Sequence, residues 1–271
     1  LLKNFKVNKS YSNEIKKLNL EWDSIVSNVY NYRNPKILSQ GEIIGAVNNT
    51  INKKDVVVCA AGSLPGDLHK LWRTKDPKGF HLEYGYSCMG YEIAGGLGIK
   101  MACPNREVYV MVGDASYLML SQEIITSIQE NLKLNIILID NHGYKSIGSL
   151  SRSLGSKGFG TRFSFRNKKE NNDFGDNDFQ EKEIKIDLAE NAKSLGAHVI
   201  KCENYKDLEN ALKKAKEIDK TTLIYVQCDR FQEVQGYSWW EVPVAEISKM
   251  DSVNKAYKEY LDHKKNQRFY N

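Results

Sequence analysis

The sequence has little that would place the chain in a membrane, in an oxidising compartment or on nucleic acid. No apolar run approaches the roughly 20 residues that span a bilayer, and no signal-peptide pattern opens the chain. The five cysteines are an odd number without paired spacing, which favours free thiols in a reducing cytoplasm over a disulfide framework. The net charge of +5 comes from mixed basic and acidic residues without a basic, aromatic-rich run, so nucleic-acid binding gains no support.

Two common catalytic patterns are also missing from the sequence. No cluster of His and Cys has the spacing of a zinc site, and no Gly-x-Ser-x-Gly turn offers a serine nucleophile. A chain of 271 residues with 41% hydrophobic content can nevertheless bury one sizeable core or two small ones. We therefore expect a globular protein with another kind of site.

Strand-like apolar runs alternate with helical patterns through the middle of the chain. Strands are predicted over 55–60, 107–112, 134–139, 198–201 and 223–227, and helices over 90–102, 117–131, 186–195 and 205–218. The helix over 117–131 should place Leu118, Ile124, Ile125 and Ile128 on one face. This alternation predicts an α/β fold, a doubly wound and mostly parallel sheet with helices on both faces.

The rest of the chain flanks or interrupts this pattern. Residues 1–38 read as lead-in linker helices, 39–230 as the main domain, and 231–271 as a tail with a helix over 243–263. The segment 146–185 lacks regular periodicity and carries isolated phenylalanines, which predicts either a lid over the site or a surface loop. Trp239 and Trp240 cannot easily share one core, so one is a candidate to cover a partner subunit or a neighbouring domain.

Polar turns follow two of the predicted strands. Gly113-Asp114-Ala115-Ser116 follows one strand, and Asn141 lies in the turn after the next. A right-handed parallel crossover brings Asp114 and Asn141 together at the carboxyl edge of the sheet, where such sheets bind ligands. Their oxygens suit Mg²⁺, and the helix that starts after Gly113 would offer N–H groups to phosphates. The alternative is a pair of ordinary turns with no ligand.

These turns resemble the signature of thiamine-diphosphate (ThDP) enzymes, although Ala115 replaces the usual third glycine. Alanine can serve there if its backbone does not need a positive φ. The resemblance implies that Asp114, Asn141 and the backbone carbonyl of Gly143 hold Mg²⁺. It also implies that the cofactor is bound by Gly113, Ala115 and Ser116, with His142 as a further diphosphate contact or only a backbone hydrogen bonder.

Two further patches agree with this resemblance. The stretch 83–98 is similar to the Gly-x-Met-Gly segment of ThDP enzymes, in which Met89 would wedge between the cofactor rings and force a V shape. The carbonyl of Ser87 would then receive the exocyclic amine of the aminopyrimidine. The turn after 56–60 would bring Gly62 and Ser63 to the diphosphate. Taken without the other patches, Met89 could equally be a core residue.

The amino-acid sequences of three segments point to one family among the ThDP enzymes. Residues 61–73, 80–92 and 239–246 are similar to the 3D-(3,5/4)-trihydroxycyclohexane-1,2-dione acylhydrolases, the ring-opening family of bacterial myo-inositol catabolism. The resemblance runs from about Ser39 to about Glu246. It implies a ThDP- and Mg²⁺-dependent hydrolytic C–C cleavage of the cyclic dione to 5-deoxyglucuronate by a homo-oligomer. His81 and Glu83 are candidates to meet that polyhydroxylated substrate.

The resemblance also implies that this chain supplies half of a site. In that family a pyrimidine-binding domain and a middle domain precede the ThDP diphosphate-binding domain, to which 39–230 would correspond. The activating glutamate comes from the amino-terminal domain of a partner subunit, so none is assigned in this chain, and the 271 residues alone are expected to be inactive. The alternatives are an acetolactate-synthase-like carboligase and a non-catalytic cofactor-binding module.

Overall fold

A computed structural model describes residues 6, 8–34, 36–165, 182–236 and 241–268. Trp239 and Trp240, for which an interface was predicted, lie outside the described residues, as does the stretch 166–181 of the predicted lid.

Six parallel strands form one sheet in the order β2-β1-β3-β4-β6-β5. The strands are β1 Val56–Cys59, β2 Phe80–Leu82, β3 Val108–Gly113, β4 Asn135–Asp140, β5 His198–Cys202 and β6 Thr222–Gln227. The neighbouring central strands β3 and β4 are buried on both faces, apart from the half-buried Gly113, which explains their nearly continuous apolar sequences. Five of these strands were predicted; β2 was not, because three half-buried residues give no periodic signal.

Ten helices are seen in the described part of the chain. They are α1 Lys9–Asn31, α2 Gln40–Thr50, α3 Ser63–Leu71, α4 Tyr91–Ala102, α5 Asp114–Met119, α6 Glu123–Gln129, α7 Lys145–Ser153, α8 Leu188–Ser194, α9 Tyr205–Glu217 and α10 Asp251–Lys265. Within that part, none is at once long enough and apolar enough to cross a membrane.

The helices cover both faces of the sheet. One hydrophobic core joins α1, α2, α3 and α9 to strand residues such as Val57, Tyr109 and Ile137. A second core joins α4, α5, α6 and α8 to the alternate strand residues, such as Val58 and Val110. The predicted α/β class, a doubly wound parallel sheet with helices on both faces, is therefore confirmed.

The predicted single helix over 117–131 is wrong. The chain forms α5 and α6 instead, because the backbone at Leu120 leaves the helical region with φ −153° and ψ 63°. Tyr117 and Ile124 are fully buried, whereas Leu118 and Ile125 are 44% and 50% exposed. The register of α5 is set by its start at Asp114, and this rotates Leu118 away from the face shared with Ile124.

The other boundary differences lie at the ends of the chain and in the predicted lid. The stretch from Ser146 was expected to lack regular structure, yet α7 occupies its beginning, with few apolar residues to signal a helix. An isolated bridge pairs Gly143 with Arg162, so the chain returns to the site edge after α7. The helix α1 is one long helix within the predicted lead-in 1–38, and α10 begins later than the predicted 243.

Candidate functional site

A cavity of about 520 Å³ opens at the carboxyl edge of the sheet, beyond the ends of β1, β3 and β4. Its lining contains all but one of the residues predicted to hold a cofactor or metal: Gly62, Ser63, Ser87, Met89, Gly113, Asp114, Ala115, Ser116, Asn141 and Gly143. The structure thus brings segments from four separate parts of the sequence to one place.

The lining also includes residues that sequence reasoning did not single out: Tyr84, Tyr144, Lys145, Ile147 and Leu150. Tyr144 and Lys145 directly follow the Gly143 turn, so their position along the chain was a usable signal. Ile147 and Leu150 line the cavity from α7, a helix that the sequence pattern did not predict.

Asp114 contributes a buried carboxyl group to the lining of this cavity. It is 1% exposed. One oxygen accepts the N–H of Ala115 at 2.9 Å, and the other accepts the N–H of Gly143 at 2.7 Å. Burial and the negative charge of the nearby Asp140 raise the pKa of Asp114. Because the described residues place no ion pair on this carboxylate, a bound cation would stabilise its ionised form.

Asn141 supplies an unsatisfied acceptor beside that carboxylate. Its side chain is buried, and its Oδ1 atom has no hydrogen-bond partner among the described residues. A buried acceptor without a hydrogen-bond partner costs about 1–3 kcal/mol of stability. A bound cation or a hydrogen-bond donor at Asn141 Oδ1 would remove this cost. The donor set of a carboxylate, an amide oxygen and a nearby backbone carbonyl suits a hard cation such as Mg²⁺.

Gly143 links the turn after β4 to the turn at Asp114, because its N–H donates to the Asp114 carboxylate. Its φ of +144° is accessible to glycine, and a Cβ atom there would lie 2.4 Å from the carbonyl oxygen of Thr161. The next residue, Tyr144, donates its N–H to the same Thr161 oxygen at 2.9 Å. The turn is therefore held tightly against the segment that follows α7. In the described part of the chain, no group of three His, Cys, Asp or Glu side chains could hold a metal by itself.

Two further turns of the cavity wall lie at the starts of α5 and α3. Ala115 lies in the first turn of α5, in helical backbone, so the replacement of glycine by alanine introduces no strain. Gly62 has a φ of +89° at the start of α3. The Ser63 hydroxyl donates to Gln40 at 2.9 Å, and the Gln40 amide donates in turn to Asp67.

Met89 and Ser87 stand on a loop that a carboxylate organises. Glu83 accepts the N–H groups of Tyr86 at 3.2 Å and Cys88 at 2.8 Å, and these bonds lower the pKa of Glu83. Ser87 sits in this loop with a φ of +52°, and the half-buried Met89 side chain faces the cavity.

Three predicted contacts are not brought into the cavity. The His142 ring lies edge-on to Phe163, and its Nε2 is 3.0 Å from the Phe163 carbonyl oxygen. His81 bonds to the Tyr91 hydroxyl at 2.7 Å, and Glu83 is occupied by the loop that it organises. None of the three is in the cavity lining.

Glu92 is a further residue that the sequence did not single out, and it lies behind the cavity lining. It lies in the first turn of α4 and is fully buried, which raises the pKa of its carboxyl group. Its carboxylate is bonded to the Ser116 hydroxyl and to backbone groups of two other site loops. The sequence carries no signal for it, because two of its three partners, Ala61 and Ser116, are distant along the chain.

Comparisons with known proteins match this region. The family described as thiamine pyrophosphate enzyme, C-terminal TPP binding domain, matches residues 60–226. Thiamine pyrophosphate is another name for ThDP, so the family predicted from the motifs is confirmed. The match spans every turn that lines the cavity between Gly62 and Leu150.

The chain is also similar to two named Bacillus proteins over most of its length. A 3D-(3,5/4)-trihydroxycyclohexane-1,2-dione hydrolase 2 of Bacillus cereus is 42% identical over 234 residues, which is 86% of this chain and 35% of the relative. A hydrolase of the same name, without a number, from Bacillus anthracis is 43% identical over the same length. The chain therefore spans about a third of the length of these relatives.

A solved structure shares the fold. The Rhodococcus jostii RHA1 thiamine diphosphate-dependent 4-hydroxybenzoylformate decarboxylase superposes with a TM-score of 0.60 at 18% identity. The superposition covers 73% of this chain and 34% of that one. At this identity the likeness concerns the α/β architecture alone.

Proposed function

Because this chain belongs to the thiamine pyrophosphate enzymes, through their C-terminal TPP-binding domain, we propose that its cavity binds ThDP together with Mg²⁺. Asp114, Asn141 and the Gly143 carbonyl are the metal ligands of this proposal. The backbones of Gly62, Ser63, Gly113, Ala115 and Ser116 face the diphosphate. His142 is omitted from the contacts that we propose, since its ring is bonded elsewhere.

One observation carries the proposal. The Asn141 Oδ1 atom is buried without a partner among the described residues, next to a buried carboxylate whose pKa is raised. A divalent cation at this point would satisfy both groups, and the phosphates of a diphosphate would complete its coordination. An ordinary pair of turns would leave the Asn141 oxygen without a partner and the Asp114 carboxylate with two backbone N–H groups but no cation.

We further propose that the reaction is hydrolytic ring opening of a trihydroxylated cyclohexane-1,2-dione. The support is the name of the Bacillus relatives, at 42–43% identity. When bound, ThDP would supply the nucleophilic carbon that cleavage of a C–C bond beside a carbonyl requires. The protein supplies binding and orientation. Both Met89 and Ser87 line the cavity; in this proposal Met89 sets the geometry of the cofactor rings, and the Ser87 carbonyl accepts a hydrogen bond from the aminopyrimidine amine.

The proposal includes partners and location. We assign the activating glutamate to a pyrimidine-binding domain on a partner subunit of a homo-oligomer, and inositol catabolism in the cytoplasm as the setting. Tyr84 and Ile147 line the cavity and are 49% and 58% exposed, and this apolar rim suits coverage by such a partner. The five cysteines are all free, in keeping with a reducing compartment.

Calorimetric titration of the 271-residue chain with ThDP tests the cofactor site. We expect binding with Mg²⁺ that is lost in a chelator, and an affinity about 100-fold lower in Asp114→Ala, since loss of a buried charged ligand costs about 3 kcal/mol. Asp219→Ala removes an exposed carboxylate and serves as the matched control. Equal ThDP affinity in Asp114→Ala and the control would refute the assignment.

A further inference from the structure

Glu92 has an unusual position for a charged side chain. It lies in the first turn of α4 and has no exposed surface, and in the described part of the chain no ion pair compensates its charge. Removing a carboxylate from water costs several kcal/mol unless hydrogen bonds replace the lost hydration. The donors around Glu92 are therefore the key to what it does.

Those donors come from three separate segments of the cavity wall, two loops and the first turn of α5. Oε1 accepts the N–H of Ala61 at 3.1 Å, in the loop that continues to Gly62. Oε2 accepts the N–H of Gly90 at 3.1 Å, directly after Met89. The Ser116 hydroxyl donates to the carboxylate at 2.8–2.9 Å and accepts the Gly90 N–H at 2.8 Å.

A simple helix-capping role explains only part of this arrangement. The bond to Gly90, the N-cap residue of α4, is local to the helix start. The bonds to Ala61 and Ser116 reach residues more than 20 positions away and add nothing to the cap. What the three partners share is the cavity: each lies within two residues of Gly62, Met89 or Asp114.

We propose that Glu92 is a positioning residue for the cofactor, paired with Ser116. Its carboxylate holds the diphosphate loop at Gly62, the ring-facing Met89 and the metal turn at Asp114 at fixed mutual distances. The Ser116 hydroxyl is occupied by this network, so only the backbone of Ser116 is left to face the diphosphate. This inference rests on the proposed ThDP site and adds a residue that touches neither metal nor cofactor.

The test is Glu92→Gln in the 271-residue chain, titrated calorimetrically with ThDP in the presence of Mg²⁺. Both carboxylate oxygens accept a backbone N–H, so the glutamine amide group must face one of these donors whichever way it turns. We expect the dissociation constant for ThDP to rise about 10- to 100-fold, the usual effect of losing an outer-shell partner. Glu130→Gln, at an exposed position, is the matched control.

Two further measurements separate positioning from general stability. Near-UV circular dichroism establishes that the variant is folded at the titration temperature; a merely structural role would lower the melting temperature without changing the affinity of folded protein. Ser116→Ala is milder, keeps both backbone donors to Glu92, and decides the matter if Glu92→Gln does not fold. We expect its affinity loss to be non-additive with that of Glu92→Gln.

The outcomes distinguish this inference from the proposed function. Weaker ThDP binding by folded Glu92→Gln or Ser116→Ala supports the positioning role. Wild-type affinity in the folded variants overturns it while leaving the cofactor site intact. Absence of Mg²⁺-dependent ThDP binding by the wild-type chain itself overturns both.

Discussion

At the scale of single residues, the sequence was most informative where local chemistry follows a strand. That Asp114 and Asn141 meet in one cavity could be predicted because both come directly after apolar runs, and parallel topology brings such positions together. Glu92 could not be identified, because its role depends on contacts with distant loops. His142 adjoins Asn141, a proposed metal ligand, in sequence, yet its ring bonds to the Phe163 carbonyl, as in the alternative of a backbone hydrogen bonder.

Met89 is the residue whose proposed role is catalytic geometry. Met89→Ala should leave the fold intact, because the side chain is only half-buried at the cavity wall. Turnover of the cyclic dione would be measured with the proposed amino-terminal domains present. We expect it to fall by at least about 10-fold, which corresponds to an activation barrier higher by about 1.4 kcal/mol. ThDP affinity should change much less, since the diphosphate loops are untouched.

Met101→Ala provides the matched control for this prediction. It removes the same side chain from an exposed position, 51% accessible, on the same helix that follows Met89. Unchanged turnover in Met89→Ala would return that residue to a plain packing role.

At the scale of elements, the sheet was predictable and its helices only partly so. Continuous apolar strands such as β4 admit few other interpretations. The division into α5 and α6 was not predictable from periodicity, because the start of α5 is fixed by the site at Asp114 rather than by an apolar stripe. The helix α7 was missed for a related reason: it lies on the cavity wall and has only Lys145 and Gly148 buried.

The contact of α4 with the sheet gives a prediction about stability. A Cβ atom on Gly96 would lie 2.4 Å from a methyl group of Val110 on β3, whereas one on Gly98 would meet nothing within 4 Å. Gly96→Ala should therefore destabilise the protein by about 1–3 kcal/mol through overpacking. Gly98→Ala should stabilise it by about 0.5–1 kcal/mol, because alanine favours the helix.

Urea unfolding of the two variants beside the wild type measures both effects. The opposite signs matter more than the sizes, since the two glycines are two positions apart in one helix. Equal midpoints for the two variants would contradict the packing of α4 against β3.

At the scale of the whole molecule, the cavity lies at an edge of the sheet with an apolar rim open to solvent. Tyr84 and Ile147 form this rim, and the chain spans about a third of the length of the relatives that it matches. The contribution of other domains to the site was predicted from the family resemblance alone. No residue pattern within the chain could show what lies against the rim.

The 271-residue chain alone should therefore bind ThDP weakly and show no ring opening of the trihydroxylated dione, even with excess Mg²⁺. The proton relay at the pyrimidine ring would come from a domain outside these residues. Assay of dione consumption, with and without the amino-terminal two thirds of a Bacillus relative added in trans, measures this. Clear turnover by the chain alone would place the activating carboxylate within it.

The metal position is the most direct test of the cofactor site. Crystals of the chain grown with ThDP and Mn²⁺, in place of Mg²⁺, should show an anomalous difference peak bonded to an Asp114 carboxylate oxygen, Asn141 Oδ1 and the Gly143 carbonyl. A peak elsewhere, or ThDP bound while Asn141 Oδ1 remains without a partner, would contradict the account.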